Sequence, residues 1–184
     1  MNSIEIMVNE HKYIKRMLKV IRSICYSVMK NEKVDYDDFY KIIDFVRNYA
    51  DKHHHGKEEI MLFNRMMEEI GPTAEKLIRH GMLVEHDLGR LYMQQLEEAV
   101  NKVQKGQDIS RLDVIANAIG YCDLLTRHIE KEDGVVYTFA EKNLSLETMK
   151  KINEECEEFE KNAAQKEVQE KYIIVLDEME RKYL

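Results

Sequence analysis

The sequence has little that would end a helix or form a tight turn. Among its 184 residues there are 1 proline and 7 glycines, while charged residues make up 34%. Proline and glycine are the residues that most often punctuate strands and long loops, so their scarcity argues against a chain of many short strands. We therefore predict an all-α protein of one domain, residues 1–184, since this length suffices to bury a core.

Positively charged residues are also fewer than negatively charged ones. Lys and Arg number 28 against 35 Asp and Glu, which gives a formal net charge of −7, and no stretch of the chain concentrates the basic residues. Because a nucleic-acid-binding surface needs a basic patch, we predict no nucleic-acid partner.

Long apolar runs are missing as well. No run approaches the roughly 20 apolar residues of a membrane-spanning helix, and residues 1–30 carry charge throughout, unlike a signal peptide. The three cysteines, Cys25, Cys122 and Cys156, are widely spaced and odd in number, which favours reduced, mostly buried thiols over a disulfide framework. These features predict a cytoplasmic protein without a membrane partner.

Apolar residues recur at steps of three and four along most of the chain, the pattern of helices that bury one face. Breaks near residues 31–33, 71–72, 105–107 and 143 divide residues 1–144 into four such helices. Four helices joined by short breaks predict an antiparallel, up-down four-helix bundle. Residues 145–184 predict an additional C-terminal helical segment that packs on the bundle, or that forms a homodimer instead.

Two segments place a histidine and a glutamate one helical turn apart. These are His54-x-x-x-Glu58 in the second helix and His128-x-x-x-Glu132 in the fourth. Residues four apart lie about 40° from each other on a helix, so each pair can present an imidazole and a carboxylate to one metal centre. A glutamate inside an apolar stripe, such as Glu132, is costly unless it is paired or binds a metal ion.

The other two histidines of the second helix have a different interpretation. Helix geometry turns His55 about 100° away from His54, so we place it at the rim of the bundle or in solvent. His53 lies beside the apolar stripe, but Lys57 rather than a carboxylate follows it one turn later. We therefore expect both side chains to lie outside the set of metal ligands.

The first and third helices each offer an inward-facing histidine. His11 occupies an apolar position of the first helix. In the third helix, His80 and His86 lie on different faces, and spacing alone does not choose between them. Gly89, one turn after His86, would leave room beside that imidazole. Tyr121, two turns before His128, is interpreted as core, with donation to a bound oxygen species as the alternative.

Imidazole and carboxylate ligands together suit iron, with manganese or zinc as substitutes. A structural zinc site takes about four ligands and usually includes thiolates. Six nitrogen and oxygen ligands from four helices therefore favour a dinuclear centre. The Glu-x-x-His motif of ferritin-like di-iron proteins is absent from the sequence, and Asp51-x-x-His54 is the nearest approach.

The order His, His-x-x-x-Glu, His, His-x-x-x-Glu resembles the hemerythrin-like (HHE cation-binding) domain family, in its single-domain bacterial form. The matching segments are Glu10-His11-Lys12, His54 to Phe63, Glu85-His86-Asp87 and His128 to Glu132, within residues 4–140. The resemblance implies two iron ions joined by an oxide or hydroxide, and it selects His86 over His80. It also implies two bridging carboxylates, Glu58 and Glu132. The terminal ligands that it implies are His11, His54, His86 and His128.

This sequence departs from that pattern in two respects. Leu62-Phe63-Asn64 and Val136-Tyr137-Thr138 stand where the family often has Leu-Phe-Pro, which alters how helices end. Oxygen-carrying hemerythrins have five histidines, two of them four apart on the third helix. Here Met82 and Arg90 occupy those offsets from His86, so this fifth histidine is missing. Four histidines, two bridging carboxylates and a bridging oxygen leave about two of twelve positions open, one on each iron.

Open positions on both irons favour a protein that binds, senses or detoxifies oxygen, hydrogen peroxide or nitric oxide. Reduction of peroxide or oxygen is the enzymatic activity that such a centre would support. Two alternatives stay open: iron handling for the repair of iron–sulfur clusters, and a metal-free helical interaction module that uses residues 145–184 as its contact surface.

Overall fold

The computed structural model of the chain describes residues 2–184, which contain helices and short connections but no β-strand. This confirms the all-α prediction. Six long helices follow one another: α1 Ser3–Met29, α2 37–70, α3 72–104, α4 111–143, α5 Leu146–Gln165 and α6 Val168–Tyr183. A short 3₁₀ turn, Asp108–Ser110, precedes α4. The C-terminal segment thus forms two helices, separated just after the polar stretch of residues 162–165.

The helix ends follow from local side-chain chemistry. The Asn2 side chain caps α1 by accepting a hydrogen bond from the backbone N–H of Ile4 at 2.9 Å. Between α2 and α3, Gly71 adopts a φ of 81°, which favours glycine, and Pro72 then opens α3 at a position that needs no N–H donor. Ser145 caps α5 by accepting from the N–H of Thr148 at 3.2 Å.

Three helices contain wider π turns, in which each N–H bonds to a carbonyl five residues back. They lie at Val46–His55 and Glu58–Phe63 in α2, at Ile78–Met82 in α3 and at Glu132–Val136 in α4. A π turn holds more residues than an α turn, so each residue advances by less than the α-helical angle of about 100°. Inward and outward positions in these segments therefore differ from those of an ideal α-helix.

Buried apolar residues form two clusters, separated along each of the first four helices by buried polar side chains. The larger cluster draws on residues 14–28, 39–50, 93–100, 114–129 and 172–179. The smaller cluster draws on residues 4–7, 61–66, 74–82, 136–144 and 152–156. Along α1 and α3 the smaller cluster comes first, whereas along α2 and α4 the larger cluster comes first. Between the clusters lies the polar layer that contains the predicted site.

The two C-terminal helices pack on the rest of the chain. Ile152 and Cys156 of α5 are buried in the smaller cluster, and Tyr172, Leu176 and Met179 of α6 are buried in the larger one. The predicted packing is therefore present. A homodimer through these helices stays a prediction, and it would have to use other faces, because these apolar side chains are buried within their own chain.

Two further expectations concern thiols and membranes. The three cysteines are free and buried, as predicted. Within residues 2–184, none of the helices is both long and apolar enough to cross a membrane.

The carboxylate of Asp38 joins α6 to α2, and its replacement should destabilise the fold. It is fully buried, accepts hydrogen bonds from Lys41 at 2.8 Å and Tyr183 at 2.6 Å, and pairs with Lys182. Burial by itself would raise the pKa of Asp38, but these donors hold that pKa below its ordinary value. We expect Asp38→Asn to lower the free energy of unfolding by about 1–3 kcal/mol at neutral pH.

Chemical denaturation from pH 7 to pH 3 would measure this effect. A carboxylate with a lowered folded pKa stabilises the fold above its unfolded pKa of about 3.9 and loses that contribution as the pH falls. The difference between Asp38→Asn and wild type should therefore shrink below about pH 4. Asp35→Asn, at an exposed carboxylate 3.7 Å from Lys182, is the matched control. Equal effects of the two variants would contradict this role of Asp38.

Candidate metal centre

The polar layer between the two apolar clusters contains all six predicted site residues. Each is no more than 1% exposed: His11 from α1, His54 and Glu58 from α2, His86 from α3, and His128 and Glu132 from α4. The structure thus brings together side chains that are spread over more than 120 residues of sequence. Their assignment as metal ligands stays a prediction, which the geometry below supports.

The imidazoles meet in two pairs through their Nε2 atoms. The Nε2 atoms of His11 and His54 lie 2.9 Å apart, and those of His86 and His128 lie 3.1 Å apart. Each Nδ1 atom faces a carboxylate instead, at 2.7–2.8 Å: Asp133 for His11, Glu10 for His54, Glu59 for His86 and Glu85 for His128. An imidazole whose Nδ1–H donates to a carboxylate keeps a lone pair on Nε2.

Two facing lone pairs at such distances repel each other unless a proton or a metal ion lies between or beside them. A carboxylate on Nδ1 with a metal ion on Nε2 is the usual arrangement of metal-binding histidines, and it orients the ring and strengthens the ligand. The four hydrogen-bonded imidazoles therefore have the chemistry of metal ligands rather than of ordinary buried histidines.

The carboxylates of Glu58 and Glu132 reach both imidazole pairs. Glu58 Oε2 lies 3.7 Å from the Nε2 atom of His54 and 3.6 Å from that of His86. Glu132 Oε2 lies 3.3 Å from His11 Nε2, and Glu132 Oε1 lies 2.9 Å from His128 Nε2. Each carboxylate thus lies within reach of an imidazole from both pairs.

Several oxygens of these carboxylates are left without hydrogen bonds. Within residues 2–184, Glu58 Oε2 and both carboxylate oxygens of Glu132 are buried and have no hydrogen-bond partner of good geometry. A buried carboxylate oxygen without a partner is costly, and a bound cation removes that cost. The donor set therefore fits a metal site.

The titration of the two glutamates leads to the same conclusion. Burial, together with the nearby charge of Glu132, raises the pKa of Glu58 well above its ordinary value. Burial would also raise the pKa of Glu132, but the imidazoles, His128 first among them, hold it well below that value. The protein alone therefore favours the neutral form of Glu58 and the charged form of Glu132. Bound cations would allow both to be ionised, because ligands bind metal in their deprotonated form.

His55 is a fifth histidine of this cluster, and the prediction that it faces the rim or solvent is wrong. It is 5% exposed, and its ring stacks on that of His86 with centroids 3.8 Å apart and planes 9° apart. One ligand atom each from His55, Glu58, His86 and His128 lie within 4.8 Å of one another, as do those of His11, His54, Glu58 and Glu132.

The π turn of Val46–His55 explains the error. Each of its ten residues turns by less than the α-helical angle, and the accumulated difference shifts which positions face the interior, so that His54 and His55 are both buried. Asp51, whose Oδ1 lies 3.4 Å from His55 Nδ1, stands one turn before it in the sequence. A carboxylate four residues before the histidine was thus the signal that could have identified it.

His80 is exposed, whereas His86 is buried in the polar layer, and its role as a ligand stays a prediction. His53 is buried, but it belongs to a separate polar group in which its Nε2 lies 3.0 Å from Glu10 Oε1. The buried ammonium of Lys57 bonds to both Glu10 and Glu160 there. This ammonium takes the place of a cation between the carboxylates, so the group needs no metal ion. Through Glu160, the Lys57 ammonium also connects α5 to Glu10, the carboxylate that bonds to His54.

Sequence reasoning did not single out the carboxylates that orient the histidines. Four of them directly neighbour a predicted ligand, in the pairs Glu10-His11, Glu58-Glu59, Glu85-His86 and Glu132-Asp133. Each bonds to a histidine of a different helix, which links α1 to α2, α2 to α3, α3 to α4 and α4 to α1. An acidic residue beside four of the six predicted ligands was a readable pattern.

Residues 2–140 match the family model described as the hemerythrin HHE cation binding domain. The chain belongs to this family. The family description implies that the domain binds metal cations, and the buried histidine and glutamate clusters of this hemerythrin domain have the ligands to do so. Comparisons with curated proteins and with solved structures found no match.

Replacement of His55 tests whether it adds a ligand to the hemerythrin site. We expect His55→Ala to bind the metal ion beside His86 and His128 at least about tenfold more weakly, because one imidazole is lost. Metal titration with a competing chelator would measure both affinities. His80→Ala, which removes an exposed histidine of the same chain, should bind metal like wild type. Unchanged metal affinity in His55→Ala would show that the buried ring packs without ligating.

Proposed function

We propose that this protein is a non-heme di-iron hemerythrin-like protein that binds or senses oxygen or nitric oxide, and that also reacts with hydrogen peroxide. The observation that carries the proposal is the arrangement of the imidazoles: facing Nε2 atoms at 2.9 and 3.1 Å, with a carboxylate on every Nδ1. When bound, iron would supply the coordination and the electrons that such small molecules require.

We also infer that α1 to α4 form an antiparallel, up-down bundle. The order of the two apolar clusters reverses from each helix to the next, which supports alternating helix directions. In such a bundle, side chains from all four helices can point at one centre. The long helices therefore position ligands that loops could not hold as rigidly.

The fifth histidine changes the count of open positions. With His55 included, five histidines, two bridging carboxylates and a bridging oxygen fill about eleven of twelve positions on two six-coordinate ions. The five imidazoles are divided unequally between the two clusters: His55, His86 and His128 belong to one, and His11 and His54 belong to the other. One open position favours reversible binding or sensing over the reduction of peroxide or oxygen, which open positions on both ions would favour.

The chain itself contributes burial, orientation and a fixed pattern of hydrogen bonds. The ligands are almost fully buried, so water has little access to them. The hydroxyl of Tyr137 donates a hydrogen bond to Glu58 Oε1 at 2.6 Å, which fixes that carboxylate. Burial and the charge of Glu58 raise the pKa of Tyr137 well above its ordinary value, so the hydroxyl keeps its proton.

The alternatives have less support. Donation of iron to damaged clusters would require the helices to part, because every ligand is buried beneath packed side chains. A metal-free interaction module would leave three buried oxygens without a hydrogen-bond partner among residues 2–184, at a lasting cost in stability: Glu58 Oε2 and both carboxylate oxygens of Glu132.

Metal content and metal removal test the central proposal. Protein expressed with ample iron should contain about two irons per chain, and its absorption spectrum should change on addition of nitric oxide or peroxide. Chelation should lower the Tm by about 8–16 °C, since ligands held at about 1,000 times their Kd stabilise a fold by about 4 kcal/mol. Circular dichroism melts of chelated and re-loaded protein would measure this.

A conservative double variant provides the control. Glu58→Gln with Glu132→Gln keeps the shape of both side chains but removes their charge, so it should lose metal while its melting no longer responds to chelator. About one zinc per chain, or full stability and no metal in the wild type, would contradict the proposed di-iron centre.

A further inference from the structure

A cavity of about 140 Å³ lies beside the metal centre, between α2, α3 and α4. The rings of His55 and His86 form part of its wall, so a molecule inside it would contact two imidazoles of the site. Gly89 of α3 lines the same space. A methyl group added at Gly89 would lie 3.5 Å from the ring of Tyr121, an ordinary contact, so the glycine leaves room that a side chain would fill.

Tyr121 supplies a buried hydroxyl to the lining of this cavity. Its ring lines the wall, it is 1% exposed, and its hydroxyl has no hydrogen-bond partner among residues 2–184. A buried hydroxyl without a partner costs free energy, which a bound acceptor would recover. Burial raises the pKa of Tyr121 far above its ordinary value, so the hydroxyl is a neutral donor at physiological pH. The interpretation of Tyr121 as ordinary core is therefore incomplete.

The entrance of the cavity favours a neutral molecule over an anion. Arg90 is partly exposed and is bonded to three carboxylates, Asp51 at 2.7 Å, Glu59 at 2.7 Å and Asp87 at 2.9 Å. Arg47, the second arginine of the lining, pairs with Glu97 at 2.6 Å. Both positive charges are thus already matched, and the inner wall includes the apolar side chains Val46 and Met93. Burial of an anion here would lack a compensating charge.

We propose that this cavity admits and holds a small neutral molecule with a hydrogen-bond acceptor on its way to the metal centre, with the Tyr121 hydroxyl as the donor. Dioxygen, nitric oxide and hydrogen peroxide share this chemistry. Peroxide should depend most on Tyr121, because its oxygens are the strongest acceptors of the three. This inference rests on the proposed function and identifies the route and the residue that would select the ligand.

Filling the cavity and removing the donor should have different effects. Gly89→Leu should abolish xenon binding to zinc-loaded protein, since xenon occupies small apolar cavities, and should slow nitric oxide association with iron-loaded protein by at least about tenfold. Tyr121→Phe should keep xenon binding and nitric oxide association near wild type. The same variant should slow the absorbance response to peroxide about three- to tenfold, the worth of one hydrogen bond.

Two matched control variants and a milder substitution distinguish an effect on the cavity from an effect of misfolding. Gly81→Leu changes a glycine of the same helix that has no atoms within 4 Å of its added Cβ, and Tyr26→Phe changes an exposed tyrosine. Both should behave like wild type. Gly89→Ala, whose methyl group fits without a clash, should fold normally and give intermediate rates. Stopped-flow absorbance and ¹²⁹Xe NMR would provide the measurements.

The outcomes separate this inference from the function on which it rests. Iron-loaded wild type that binds no nitric oxide and ignores peroxide would overturn both. Normal binding by wild type, with rates in Gly89→Leu and Gly89→Ala equal to those of Gly81→Leu, would overturn the cavity as the route alone. An unchanged peroxide response in Tyr121→Phe would overturn the role of its hydroxyl.

Discussion

The structure depends on how two pairs of imidazoles face each other inside the protein. Each Nδ1 atom bonds to a carboxylate, and the two Nε2 atoms of each pair face each other, 2.9 Å apart in one pair and 3.1 Å in the other. Two nitrogen atoms at this distance need a proton or a metal ion between or beside them. The same arrangement leaves the oxygens of Glu132 without hydrogen bonds. Cation binding therefore converts the most costly layer of the fold into one that links four helices.

The apolar clusters on either side of the polar layer offset the cost of burying its charged groups. Each of the first four helices crosses a cluster, the polar layer and the other cluster in turn, so the buried charges lie between two regions of ordinary hydrophobic packing. α5 completes the smaller cluster and α6 the larger one. Through Glu160, α5 also reaches Lys57 and Glu10, the carboxylate that orients His54. The C-terminal helices thus support the centre although they contribute no candidate ligand.

Much of this could be predicted from the sequence, because helical periodicity and the spacing of His54, Glu58, His128 and Glu132 depend only on local geometry. The helix boundaries followed from Gly71, Pro72 and Ser145 in the same way. His55 was misplaced because its direction depends on a π turn, and a periodicity argument assumes α-helical angles throughout. The unpartnered hydroxyl of Tyr121 and the cavity beside it depend on packing between three helices, which no single-helix pattern contains.

The two halves of the site repeat the same set of carboxylate–histidine hydrogen bonds. The repeat is incomplete at one residue, and this makes the two clusters unequal. Glu10 orients His54 as Glu85 orients His128, and Glu59 orients His86 as Asp133 orients His11. After His54 comes His55, whereas after His128 comes the buried Ile129. One of the two candidate clusters therefore contains three imidazoles and the other contains two. The cavity lies beside the cluster with three imidazoles, and it is lined by His55, the histidine that breaks the repeat. The additional imidazole of His55 is thus the feature that distinguishes the two clusters, and it lies where the cavity meets the site.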